Sequence, residues 1–130
     1  MDDWTAEIYV HAMAIEQEAA RRYAELSRRM AQARNHEAAA LFAEFSNEEA
    51  RHLEALCARS RGAAMPQLSS DYTWCEIDIG TAVQAEKRAR AFFEQARRVA
   101  PHPAVAALAD EMTAEENDHL TRIERLDGAP

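Results

Sequence analysis

Apolar residues recur every three or four positions along four stretches of the chain, the period of an amphipathic α-helix. The first stripe reads Tyr9, Met13, Ala20, Tyr23 and Met30 and predicts a helix capped at Thr5 that runs to about Ala33. The second, with Leu41, Phe45, Leu53 and Leu56, predicts a helix from about Glu37 to Ser60, with Asn35 as its cap and Gly62 just beyond its end. The few residues between these two helices make them antiparallel neighbours. Ile79, Val83, Ala89, Phe93 and Ala96 mark a third helix from about Ile77 to Val99. Pro101-His102-Pro103 stops it, and Pro103 suits the first turn of a fourth helix that carries Leu108, Met112, Leu120 and Ile123 to about Leu126.

Residues 61–75 break the helical period, and Met65-Pro66-Gln67-Leu68-Ser69-Ser70-Asp71 has turn chemistry. About 13 extended residues reach roughly 40 Å, close to the length of a helix of about 25 residues. The third helix is therefore expected to run parallel to the second. The expected fold is an all-α four-helix bundle with one long crossover between helices two and three, in a single domain spanning residues 1–130.

Each apolar stripe is interrupted by one acid: Glu16, Glu49, Glu86 and Glu116. On the second and fourth helices a histidine follows three residues later, in Glu49-Ala50-Arg51-His52 and Glu116-Asn117-Asp118-His119, and so shares the face of its glutamate. The halves repeat. Glu16 is followed by Ala19 and Tyr23, and Glu86 by Ala89 and Phe93, at the same offsets. Carboxylates on core-facing stripes are costly unless compensated. Four Glu and two His offset two divalent cations, and this is the ligand set of carboxylate-bridged dinuclear bundles. Oxygen with imidazole suits iron or manganese, and the absence of thiolate ligands argues against structural zinc. Glu49 and Glu116 are the candidate bridging ligands, and Glu16 and Glu86 the terminal ones. Glu18, two residues from Glu16, falls off the stripe and is expected to matter little. Glu48 and Glu115 read as solvated, His11, His36 and His102 as surface residues, and Met13, Met30 and Met112 as core.

Composition narrows the class further. Ala, Glu, Arg and Leu dominate and there are three Gly, as in helical proteins. The net charge of −8 argues against nucleic acid or an anionic membrane as a partner. No apolar run has membrane-span length, and the acidic N-terminus lacks signal-peptide features. Cys57 and Cys75 form no CxxC pair and fit reduced thiols, so a cytoplasmic location is expected. Trp4 and Trp74, near element starts, are the candidate aromatic patch of a homodimer.

With the set Glu16, Glu49-x-x-His52, Glu86, Glu116-x-x-His119 in place, the chain resembles the ferritin-like di-iron carboxylate superfamily, rubrerythrin and bacterioferritin branch, over nearly its whole length. The resemblance implies two iron ions, with manganese or a mixed pair as alternatives, and reaction with hydrogen peroxide or oxygen. Departures shape the expectation. Rubrerythrins carry a second Glu on helix three where this chain has Ala89, and bacterioferritin has a haem-ligating Met where this chain has Ala50. No rubredoxin tail is found, so a separate electron-donor protein is implied. Nor is there sequence after Pro130 for the short fifth helix of storage cages, so a cage is not expected. Tyr23, two turns from Glu16, can hydrogen-bond a ligand or sit in the core. Three functions stay open: a peroxide- or oxygen-reducing oxidoreductase, an iron-oxidising or storage protein, and a metal-stabilised interaction module without redox turnover.

Overall fold

The computed structural model describes residues 3–60, 73–100 and 102–126. They hold four α-helices and no strand: α1 (Asp3–Gln32), α2 (His36–Arg59), α3 (Ile79–Val99) and α4 (Pro103–Glu124). The all-α, four-helix class is the expected one. Two boundaries differ from the sequence reading. Helix α1 begins at Asp3, so Thr5 lies inside its first turn and does not cap it. Helix α3 begins at Ile79 rather than Ile77. The expected crossover falls on residues 61–72, outside those described. The chain groups into two compact units that meet in sequence between Asp78 and Ile79.

In the N-terminal unit α1 and α2 form an antiparallel hairpin. Two serines fix its register through bonds to the opposite backbone: Ser27 Oγ donates to the Ala39 carbonyl at 2.6 Å, and Ser46 Oγ to the Ala20 carbonyl at 2.8 Å. As the position on α1 falls, the partner on α2 rises, which is the signature of antiparallel packing. Small residues at the contact let the helices approach closely enough for these short side chains to reach.

The turn between them is built without glycine. Asn35 N–H donates to the Met30 carbonyl at 2.8 Å and Arg34 N–H to the Ala31 carbonyl at 3.0 Å, the paired bonds of a Schellman motif. This requires a left-handed residue, and Arg34 takes φ 63°. Asn35 then caps α2, its side chain accepting from Ala38 N–H at 3.1 Å. Left-handed backbone costs a residue with a Cβ about 1 kcal/mol. Arg34→Gly should therefore raise stability by several tenths to about 1 kcal/mol, partly offset by the greater chain entropy of the unfolded glycine variant. A denaturation midpoint that moves down would contradict this account of the turn.

The core of this unit is aromatic. Tyr23, fully buried, stacks on Phe42 at 5.6 Å between centroids and meets Phe45 and Trp74 edge-on at 5.2 and 5.1 Å. Trp74, expected on an exposed patch, is instead buried here within its own chain. Glu18 is the second correction. It is 1% exposed, and its Oε2 accepts a 2.7 Å bond from the Trp74 backbone N–H and a 3.1 Å bond from Arg22 Nε. The bond to Glu18 holds the Arg22 guanidinium above its ordinary pKa. Arg22 continues to Glu25, Glu25 to Arg29, and Arg29 Nη1 donates to the Ile77 carbonyl at 3.4 Å. Helix α1 thus packs on α2 along one face and, at Glu18, is also buried against Trp74; Arg29, farther along, reaches the Ile77 carbonyl from the surface.

In the C-terminal unit α3 and α4 form the second antiparallel hairpin. Arg97 pairs with Asp110 at 3.1 Å and Arg90 with Asn117 at 2.9 Å, again with falling and rising positions. Pro103 opens α4, where a missing N–H costs nothing. Phe93, Ala96, Val105, Leu108, Met112 and Ile123 are buried. No helix of the described residues is long and apolar enough to cross a membrane.

Candidate metal centre

Each hairpin carries its own group of ligand-type side chains. In the N-terminal unit Glu16 comes from α1, and Glu49 and His52 from one turn of α2. The register set by Ser27 and Ser46 places residue 16 opposite residues 49–52. Each of the three side chains offers one ligand atom, and these atoms lie within 4.8 Å of one another. Glu16 is 0% and Glu49 1% exposed, while His52 is more open to solvent. Both Glu16 oxygens are buried without a hydrogen-bond partner among the described residues.

That last observation tests whether a metal fits. A buried carboxylate is normally hydrogen-bonded or ion-paired, because leaving it bare costs several kcal/mol. Within the N-terminal unit the ligand-type neighbours of Glu16 are a second carboxylate and an imidazole rather than a lysine or arginine. Two carboxylates carry −2 and one divalent ion carries +2, so a single cation satisfies Glu16, Glu49 and the lone pair of His52 together. Three O and N donors at this spacing suit iron, manganese or zinc.

The C-terminal unit repeats the composition. Glu86 on α3 is 3% exposed, and Glu116 and His119 on one turn of α4 are 2% and 1% exposed. His119 Nδ1 lies 3.4 Å from Glu86 Oε1. The contact brings the imidazole against the carboxylate. With Nδ1 protonated, Nε2 keeps its lone pair for a ligand. With Nδ1 bare, both atoms face one cation. Glu116 is buried one turn before His119 on the same face.

All six residues expected from the sequence therefore lie in the helices assigned to them, and all but His52 are buried. Tyr23 lies in the aromatic cluster of the N-terminal unit. Glu48 and Glu115, expected to be solvated, are half-buried. Glu18 is the buried acid that helical periodicity missed. A signal was present in the ladder Glu18, Arg22, Glu25, Arg29 at three- and four-residue spacing, but most such ladders lie on exposed faces.

No protein-family model matches the chain, and no curated protein matches it significantly. Among solved structures it is similar to the crystal structure of an uncharacterized conserved protein from Magnetospirillum magnetotacticum MS-1. The TM-score is 0.84 with 27% identity, over 96% of this chain and 95% of that one. The chain is thus an all-α, four-helix protein that shares the fold of that bacterial protein and carries buried Glu and His groups able to hold metal.

Proposed function

We propose that this protein is a dinuclear metal oxidoreductase, with iron or manganese as its metal and hydrogen peroxide or oxygen as its oxidant. Its ligands are Glu16, Glu49, His52, Glu86, Glu116 and His119. The observation that carries this reading is the Glu16 carboxylate, buried beside Glu49 and His52 with both oxygens unpartnered among the described residues. The repeated triplet supports the metal count, one ion's worth of charge per hairpin. The rubrerythrin-like pattern of the sequence supports the reaction class.

Two ferrous ions held by these residues would offer the two electrons that, with two protons, reduce hydrogen peroxide to water. The protein's own part is binding and orientation. Glu16 and Glu49 provide negative charge in a site closed to water, where it holds cations more strongly than at the surface. His52 reaches the more open edge, which suits entry of metal or a small oxidant. Glu86, whose Oε1 lies 3.4 Å from His119 Nδ1, would hold a cation together with that imidazole. A separate protein is proposed as electron donor and a homodimer as the assembly.

The test is anaerobic titration with Fe(II), followed by hydrogen peroxide, read by metal analysis and Mössbauer spectroscopy. Two Fe(II) per chain, oxidised by one peroxide, is the expected result. Retained Fe(II) that neither peroxide nor oxygen oxidises would make the metal structural. Faster oxidation by oxygen than by peroxide, with ferric iron collecting in a large particle, would favour iron storage instead.

A further inference from the structure

Inside the N-terminal hairpin, one turn along α1 from Glu16, lies a sulfur pair that the oxygen and nitrogen ligands do not use. Cys57 Sγ on α2 donates to Met13 Sδ on α1 at 3.6 Å. Met13 is 0% exposed, Cys57 is half-buried, and Cys57 forms no disulfide. Cys57 stands five residues beyond His52, about 7.5 Å along the helix axis. We infer that Cys57 and Met13 form a binding site for a soft monovalent ion, cuprous copper, separate from the Glu and His ligands and independent of their proposed function.

Three features point the same way. The first is ligand softness: a thiolate and a thioether select Cu(I) over the harder divalent ions that suit carboxylates. The second is charge. Binding exchanges the thiol proton for the ion, Cys–SH and Cu⁺ giving Cys–S–Cu and H⁺, with no electron transferred. Thiolate, neutral thioether and Cu⁺ sum to zero, so no net charge is left beside the apolar neighbours Ala12 and Leu56, both nearly inaccessible. A divalent ion would leave a buried positive charge, which is costly.

The third feature is geometry. The S–H···S bond already turns a thioether lone pair toward the thiol, so an ion that replaces the proton finds both sulfurs facing it. With a metal–sulfur distance of roughly 2.3 Å, sulfurs 3.6 Å apart subtend an angle of about 100° at the ion. That bent arrangement leaves room for a third ligand on the side where Cys57 is open to solvent, and the same opening lets the ion enter. Cys75, the other cysteine, is exposed and serves as an internal control.

The experiment is anaerobic Cu(I) titration of the full chain against a chromogenic chelator, with X-ray absorption to count sulfur neighbours. Wild type and Cys75→Ser should each bind one Cu(I) with two sulfur neighbours. Cys57→Ser should lose it. Met13→Leu conserves volume and keeps the thiol, and should weaken binding by about tenfold or more as one of two sulfur ligands goes. Circular dichroism checks that the variants fold. Cu(I) retained by Cys57→Ser, lost by Cys75→Ser, or bound equally well by Met13→Leu would each overturn the assignment.

Discussion

Glu16→Leu should stabilise the metal-free protein and destroy part of its metal binding at once. The opposite signs follow from one feature, a carboxylate with both oxygens buried and without a hydrogen-bond partner among the described residues. In the metal-free protein that group is a burden, and replacing a buried charge by an apolar side chain of similar size is worth about 1–3 kcal/mol. Metal reverses the balance. A ligand that binds only the folded state at a hundred times its Kd adds about 2.7 kcal/mol, and without Glu16 the N-terminal group keeps one carboxylate and one imidazole. Melting curves with chelator and with added Mn(II) or Fe(II) read both effects. The variant should melt higher than wild type in chelator, respond less to metal, and hold fewer ions per chain. Glu54→Ala, at an exposed position two residues beyond His52, should match wild type in all three measurements. A Glu16→Leu protein that is less stable in chelator, or responds to metal as wild type does, would refute the assigned role of Glu16.

Glu18→Ala should be strongly destabilising without directly removing a ligand. The substitution leaves the Trp74 N–H buried without its 2.7 Å acceptor and takes the partner from Arg22. An orphaned buried donor costs about 1–3 kcal/mol, and bonds to a charged acceptor are stronger than neutral ones. A loss of about 3 kcal/mol is expected, and roughly half that for Glu18→Gln, which keeps an oxygen to accept from Trp74 but not the charge. Chemical denaturation followed by circular dichroism gives the numbers, and quenching of tryptophan emission reports whether Trp74 has been released. A change under about 0.5 kcal/mol, the range of ordinary surface substitutions, would mean that the contact contributes little.

The four helices and the two Glu-x-x-His turns were legible because their determinants are local. A three-residue spacing on a helix fixes which side chains share a face, whatever surrounds it, and Pro103 and Asn35 carry their boundary chemistry in their own structures. Glu18 was not legible. Periodicity assigns a helix one buried face, whereas Glu18 is buried off that face by Trp74, far away in sequence. The left-handed turn at Arg34 was hidden for a related reason, since glycine usually marks such a position and here the hairpin imposes the conformation on arginine. The contact between Met13 and Cys57 needs the register between two helices. That register is set by turn length and by Ser27 and Ser46, whose partners are backbone carbonyls without any sequence signature.

The hairpin register also bears on how quickly the protein acquires its chemistry. From the turn at Arg34 outward, Ser27 meets Ala39, then Ala20 meets Ser46, and then Glu16 meets Glu49 and His52. The spans grow from 12 to 26 residues and then to the Glu16–Glu49 pair, but loop-closure cost rises only with the logarithm of length, and topologies rich in such local contacts fold within microseconds to milliseconds. The N-terminal ligand group is therefore assembled by zipping from its own turn and does not wait for distant parts of the chain to find one another. A nascent hairpin that has zipped as far as Glu16 already brings three candidate ligands together. Metal present during synthesis can act at that stage as a brace that shortens the life of the open, aggregation-prone chain.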